Sequence, residues 1–121
     1  MGKRLVQSDH DLMVAAYAKD LMKLGYEVAV DLPGLITPAQ IGEHIPDITA
    51  KDPGTGKFHV FEVETSDSIN DEHTASQWLT FAVAAAIGNS QFHVIVPKAA
   101  YLSACLRVKA LTLNNVDVIG F

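Results

Sequence analysis

Sulfur, positive charge and long apolar runs are all scarce in this chain. A single cysteine, Cys105, excludes an intramolecular disulfide and fits a reducing compartment. It falls inside an apolar helical pattern, which predicts a buried structural thiol rather than a nucleophile. Lys and Arg number nine against fourteen Asp and Glu, a formal net charge of −5. A nucleic-acid protein usually shows a basic footprint. The deficit here implies weak affinity for DNA alone, a partner subunit, or a homodimer that gathers scattered lysines. The longest apolar run, Phe81–Ile87, is too short to span a bilayer. Met1–Gln7 lacks the apolar core of a signal peptide, so the expected location is cytoplasmic. Low-complexity segments and repeats are also missing. The five histidines, His10, His44, His59, His73 and His93, show no zinc spacing. With one cysteine and no His-Glu-x-x-His, they argue against a zinc site. Gly54-Thr55-Gly56-Lys57 has the flavour of a phosphate loop, but it lacks the full Walker spacing and precedes a strand instead of a helix.

What remains is the makings of one domain, residues 1–121. The chain is 49% hydrophobic and 19% charged, ordinary for a globular protein large enough to bury a core. Ser8 can cap a first helix that has acids in its first turn. Val14, Tyr17, Ala18 and Leu21 form its apolar stripe, and Gly25 ends it. Asp11 lies on the inner side of that helix, whereas His10 reads as a surface residue. Tyr26 to Asp31 alternates like a strand, and Leu32 to His44, rich in Pro and Gly, reads as a loop. A second helix runs from about Glu72 to Ile87, with Gly88-Asn89 as its stop. Its stripe is Trp78, Phe81, Ala82 and Ala85, broadened by Leu79, Val83 and Ala86. His73, Gln77 and Thr80 share a narrow polar edge. Gln91 to Val96 is an apolar strand. Lys98 to Leu111 reads as a third helix with Leu102, Cys105 and Leu106 inward, and its basic cluster of Lys98, Arg107 and Lys109 reads as a solvated face, with contact to phosphate as the alternative. Val116 to Ile119 is a last short strand.

The informative stretch lies between the first strand and the second helix. Ile45 to Lys51 and Phe58 to Glu64 flank Asp52-Pro53-Gly54-Thr55-Gly56, which is turn chemistry. If Asp52 pairs with Lys57 across a four-residue loop, Asp47 falls opposite Glu62. Alternation then puts Glu64 on the same face, diagonal to Asp47. Ile48, Phe61 and Val63 take the other face as core. Directly opposed side chains in such a pair are ~5 Å apart at Cβ, and like charges there are destabilising. Either one carboxyl is protonated or a cation bridges them. Hard oxygen ligands at this spacing suit Mg²⁺ or Mn²⁺ better than zinc.

Pro46-Asp47, then fourteen residues, then Glu62-Val63-Glu64 resembles the signature of the PD-(D/E)xK nuclease superfamily. The sequence departs from it at Glu64, where the pattern has lysine. Some restriction enzymes of that superfamily have glutamate there and remain active, whereas other members have lost catalysis. The resemblance implies an α/β, restriction endonuclease-like core, a mixed β-sheet flanked by helices in the order α-β-β-β-α-β-α-β. It implies phosphodiester hydrolysis of nucleic acid, by preference DNA, with Mg²⁺ or Mn²⁺ held by Asp47, Glu62 and Glu64. In RecB-like branches the helix after the motif carries a glutamine followed four residues later by an aromatic. Gln77 and Phe81 match that spacing, which makes Gln77 a further catalytic candidate. His73 is a lesser one, as a proton carrier.

On this reading Asp47 and Glu62 hold the metal, with the Val63 carbonyl as a further ligand. Glu64 either ligates or orients the attacking water. Lys51 shares a face with Asp47 but lies roughly 13 Å along the strand, too far to replace the motif lysine. The alternative is a nuclease-like fold that no longer cuts and serves as a binding or accessory module. A third reading is an unrelated α/β domain in which the carboxylates are incidental.

Overall fold

The computed structural model describes residues 8–121. Met1–Gln7, read above for the absence of a leader, lie outside the described residues. Ser8 opens helix α1 (Asp9–Lys23) as expected, its hydroxyl accepting the Asp11 N–H. Val14, Ala18 and Leu21 are its buried stripe. Gly25, at a φ of +92°, reverses the chain where other residues would be strained. Strand β1 (Glu27–Val30) follows. The loop after it returns onto β1, where Val30 N–H donates to the Ile36 carbonyl at 2.7 Å.

Strands β2 (Ile48–Lys51) and β3 (Phe58–Val63) form the hairpin, in the register expected from its turn. Ile48 opposes Phe61 and Lys51 opposes Phe58. Asp52 N–H donates to the Lys57 carbonyl at 2.9 Å, closing the four-residue loop. Helix α2 (Glu72–Gly88) is capped by Asp71 and stopped by Asn89 in the left-handed region. It extends one residue beyond the expected end, within the usual fraying of a terminus. Strand β4 (Gln91–Val96), a short 3₁₀ turn (Lys98–Ala100), helix α3 (Tyr101–Ala110) and strand β5 (Val116–Gly120) complete the chain.

The five strands lie side by side in chain order. β1, β2 and β3 pair antiparallel, then β3, β4 and β5 pair parallel. The protein is thus α/β, with a mixed sheet and the helix and strand order read from the sequence. Parallel pairing requires crossover connections, and α2 and α3 supply them. Both pack on one face, over Val60, Phe92, Val94 and Val96. α1 packs on the other, over Ile48, Ala50, Phe61 and Val63. Each face therefore has its own apolar core, and β3 contributes alternate side chains to both.

Two helix faces differ from expectation. Leu102 and Leu106 are 74% and 67% exposed, and Cys105 is only half-buried. Ala100 and Ala104 face the sheet instead, with Val108 and Leu111 packed beside them. This second stripe has equally good helical spacing, and small side chains let the helix sit close. On α2, Leu79, Val83 and Ala86 are exposed, so the buried face is the narrower Thr74, Trp78, Phe81, Ala82 and Ala85. Among the described residues no helix is long and apolar enough to cross a membrane.

Candidate active site

The hairpin register decides the site. Asp52 and Lys57 are a hydrogen-bonded pair. Counting along the ladder from there makes Asp47 and Glu62 a non-hydrogen-bonded pair, the kind in which opposed side chains lie closest. Asp47 sits one residue before β2, where the strand leaves the ladder, and carboxylates take over the backbone bonding there. Asp47 N–H donates to Glu62 Oε1 at 2.9 Å, and Val63 N–H donates to Asp47 Oδ2 at 2.8 Å. Asp47 and Glu62 are thereby locked to one another.

Glu64 lies one residue past β3 and faces α2. Ser68 Oγ–H donates to Glu64 Oε1 at 2.6 Å, and Thr74 Oγ1 stands 3.5 Å from the same oxygen. Trp78 Nε1–H donates to Glu64 Oε2 at 3.3 Å. The connection after β3 and the first turns of α2 thus form a cradle around one carboxylate. Glu62 is 2% and Glu64 5% exposed, and the Asp47 side chain is 13% exposed. Buried acids of this kind are rare unless compensated.

The electrostatics follow from this burial. Desolvation pushes Glu62 well above the ordinary carboxylate range, and the charges of Asp47 and Glu64 push it further. Asp31, at the end of β1, adds a fourth negative charge. Its N–H donates to the Asp47 carbonyl at 2.8 Å. Glu64 is also raised, mainly by burial, against the opposing hydrogen bonds from Ser68 and Trp78.

The cation inside this cluster is His10. Its Nε2 lies 3.1 Å from Asp47 Oδ2, and its Nδ1 lies 3.0 Å from Asp11 Oδ1. The hydrogen bond to Asp47 raises the imidazole from 6.5 to about 9, with the Asp47 and Asp11 charges helping against desolvation. His10 was expected at the surface. It is half-buried because it precedes Val14 by four residues and so begins the inward stripe of α1. Asp11, expected on the inner side, acts through His10 and reaches none of the three carboxylates directly.

Asp47, Glu62 and Glu64 are brought together on one side of the sheet. Gln77 is half-buried on α2, one position before Trp78, and none of the described hydrogen bonds links it to a carboxylate. His73 is exposed and packs on the ring of His44, at 5.5 Å between centroids. Lys51 and Lys57 are exposed. For a divalent cation the fit is partial. Asp47 Oδ1 and Glu62 Oε2 have no hydrogen-bond partner among the described residues. Two hard carboxylate oxygens suffice for Mg²⁺, which keeps several waters and takes its other ligands from substrate. Both oxygens of Glu64 already accept hydrogen bonds. Among the described residues no trio of His, Cys, Asp or Glu converges to hold a metal ion.

A second polar chain lies on the α1 side of the sheet. His59 Nδ1 is 2.9 Å from His93 Nε2, and His93 Nδ1 is 2.8 Å from Asp117 Oδ2. The His93 ring stacks on Phe61 at 4.6 Å. Burial pushes both imidazoles below their ordinary value. Spacing in the sequence does not reveal this chain, because its members meet only once β3, β4 and β5 are placed side by side. No protein-family model, no curated protein sequence and no solved structure matches the chain.

Proposed function

We propose that this chain is a metal-dependent phosphodiester hydrolase with a restriction endonuclease-like core, acting on nucleic acid and by preference on DNA. The observation that carries the reading is the Asp47–Glu62 pair with Glu64 two residues on. These are two buried carboxylates and a third that is 13% exposed, gathered at the end of a sheet, at a cost to stability that a purely structural role does not explain. Asp47 Oδ1 and Glu62 Oε2 are the oxygens that would hold Mg²⁺ or Mn²⁺. When bound, the ion supplies charge neutralisation at the scissile phosphate and lowers the pKa of a coordinated water.

The chain's own residues do the rest. The Asp47 N–H on Glu62 Oε1 and the Val63 N–H on Asp47 Oδ2 fix both carboxylates before substrate arrives, which is preorganisation. Glu64, held by Ser68 and Trp78, orients water. His10 supplies inside the site the positive charge that a motif lysine would bring. Gln77, next to Trp78, assists in positioning. The basic surface that the net charge of −5 withholds comes from a partner protein or a second copy.

One observation favours a second reading. Both Glu64 oxygens are engaged by α2 and the segment before it, which suits a nuclease-like fold that no longer cuts and serves as a binding or accessory module. A nuclease assay with Mn²⁺ separates the two. The first reading requires cutting by the parent protein and at least about a 100-fold loss in Asp47→Ala and Glu62→Ala, since even residues that only hydrogen-bond a metal's ligands are worth about 10- to 100-fold. No cutting of any DNA or RNA by the parent favours the second. Independently, Mn²⁺ should raise the Tm of the parent. An equal rise in Glu62→Ala would show the metal site to be misassigned.

A further inference from the structure

The outer face of α2 is apolar, exposed and free of charge. Leu79 and Val83 are half exposed and Ile87 is 82% exposed. Ser76 and Ala86 of the same row are exposed as well. Ser76, Leu79, Val83 and Ala86 are spaced by three, four and three residues, the interval of a seam along which two helices pair. The inner face of the helix is occupied by the sheet, through Trp78, Phe81, Ala82 and Ala85. α2 therefore has two apolar seams, and among the described residues the outer one has no partner. Single exposed apolar residues are ordinary, whereas a contiguous row marks an interaction surface.

Charge narrows what can cover it. No Asp, Glu, Lys or Arg occurs between Glu72 and Lys98. A cavity of about 250 Å³ lies beside the row, with Leu79, Val83 and Ala86 on one wall and residues 112–115 on the other. That second wall is Thr, Leu, Asn and Asn, also uncharged. The face thus offers no ion pair to a nucleic acid or to a charged protein segment. A chain with a net charge of −5 repels its own copies, and α2 is a surface where two copies approach without setting like charges against each other. α3 differs, because its exposed Leu102 and Leu106 are interleaved in sequence with Arg107 and Lys109.

The row is also self-complementary. A two-fold interface requires that where residue i meets j, j meets i. Antiparallel pairing of two α2 helices about Val83 satisfies this. Val83 meets its own copy, and Leu79 and Ile87, four residues to either side, meet each other twice. Glu72 lies about 16 Å from the centre at 1.5 Å per residue, beyond the seam.

We propose that the outer face of α2 is the interface of a homodimer in which two copies of the helix pair antiparallel about Val83. The pairing does not depend on the hydrolase reading. One helix of this length is about 25 Å long, so the paired area falls at the low end for specific complexes, under about 1,200 Å² in total. The dimer is therefore reversible, with a dissociation constant in the micromolar range or weaker.

The test is sedimentation equilibrium of the full chain from low micromolar to millimolar concentration. The parent should move from 13.0 kDa toward twice that mass and no higher, because a two-fold interface closes on itself. Val83→Glu sets like charges together at the centre and should weaken association at least about 100-fold. Leu102→Glu, at an exposed leucine on α3, should leave it unchanged. Leu79→Lys and Ile87→Glu should each weaken it, and the double variant should recover most of the loss, because the antiparallel register makes those positions partners. All four positions are exposed, so each variant should keep the parent's Tm at concentrations where both are monomeric, and misfolding does not account for the losses. A parent that stays at 13.0 kDa throughout, or that assembles beyond a dimer, overturns the proposal. If the monomer instead binds phosphatidylcholine vesicles and Val83→Glu does not, the face belongs to a lipid surface. Association that survives Val83→Glu but fails in Leu102→Glu overturns α2 as the interface, and no recovery in the double variant overturns the antiparallel register. A dimer that never cuts leaves this interface intact and counts only against the hydrolase reading.

Discussion

Replacing Glu62 by Gln should make the protein more stable while disabling its site. Gln keeps the oxygen that accepts the Asp47 N–H at 2.9 Å and nearly the same volume, so packing is preserved. What is lost is a negative charge on a side chain that is 2% exposed and lies directly opposite Asp47. Two unit charges ~5 Å apart at an effective dielectric of about 20 repel by roughly 3 kcal/mol. The His10 imidazolium offsets part of this, which leaves an expected gain of about 1–2 kcal/mol near pH 7.5. For a domain of this size that corresponds to roughly 3–10 °C in Tm. The gain should also depend on pH. Glu62 has a folded pKa raised above its ordinary value, so its ionisation weakens the fold as pH climbs through that raised value. The advantage of Glu62→Gln should therefore be largest at alkaline pH and shrink toward pH 4.5, where the parent side chain is protonated as well. Urea unfolding of both proteins across that range measures it. A variant less stable than the parent at pH 7.5, or a difference that ignores pH, would refute the account of the cluster given above.

Other perturbations test other parts of the structure. His10 has a folded pKa of about 9 against an ordinary 6.5, so its stabilising contribution is complete below pH 6.5 and is lost as pH rises through 9. The urea midpoints of the parent and His10→Asn should differ at pH 6 and converge by pH 10. His59 and His93 are depressed, so their contribution runs the other way, complete above pH 6.5 and lost on acidification. His93→Asn should therefore differ most from the parent near neutrality. Trp78→Phe removes the indole N–H that reaches Glu64 and leaves part of a fully buried site empty. About 2–4 kcal/mol of stability should be lost by urea unfolding, more than a packing defect alone would cost. Gly42 has a φ of +59°, and a Cβ there would stand 2.9 Å from Thr80 Cγ2. Gly42→Ala should cost about 1–2 kcal/mol, and Thr80→Ser should recover part of that by removing the methyl.

The hairpin was legible because its turn and its alternation agree. Pro53, Gly54 and Gly56 mark a four-residue loop, and only one register puts Ile48, Phe61 and Val63 together while collecting Asp47, Glu62 and Glu64 opposite them. A slip of one residue would bury the acids among the aliphatics, so local pattern and global fold select the same answer. α3 was misread because it has two apolar stripes. Leu102 and Leu106 look more core-like than Ala100 and Ala104, but it is the stripe of Ala100, Ala104, Val108 and Leu111 that meets the sheet. His10 carried a signal that went unused, its spacing from Val14. Its partner Asp47 is 37 residues away, and no local rule pairs an imidazole at a helix start with a carboxylate at a strand start. Arg107 reads as part of a solvated face but is half-buried, which spacing along α3 alone does not reveal.

Trp78 is the only tryptophan in the chain, and its indole nitrogen bonds Glu64. Near-ultraviolet excitation selective for indole therefore interrogates the neighbourhood of one carboxylate without any label. Titration of Glu64, or a ligand that rearranges its cradle, should alter the wavelength or yield of that emission. The protein thus comes with an intrinsic optical readout at the place where its chemistry is proposed to happen, usable in a cuvette before any substrate has been identified.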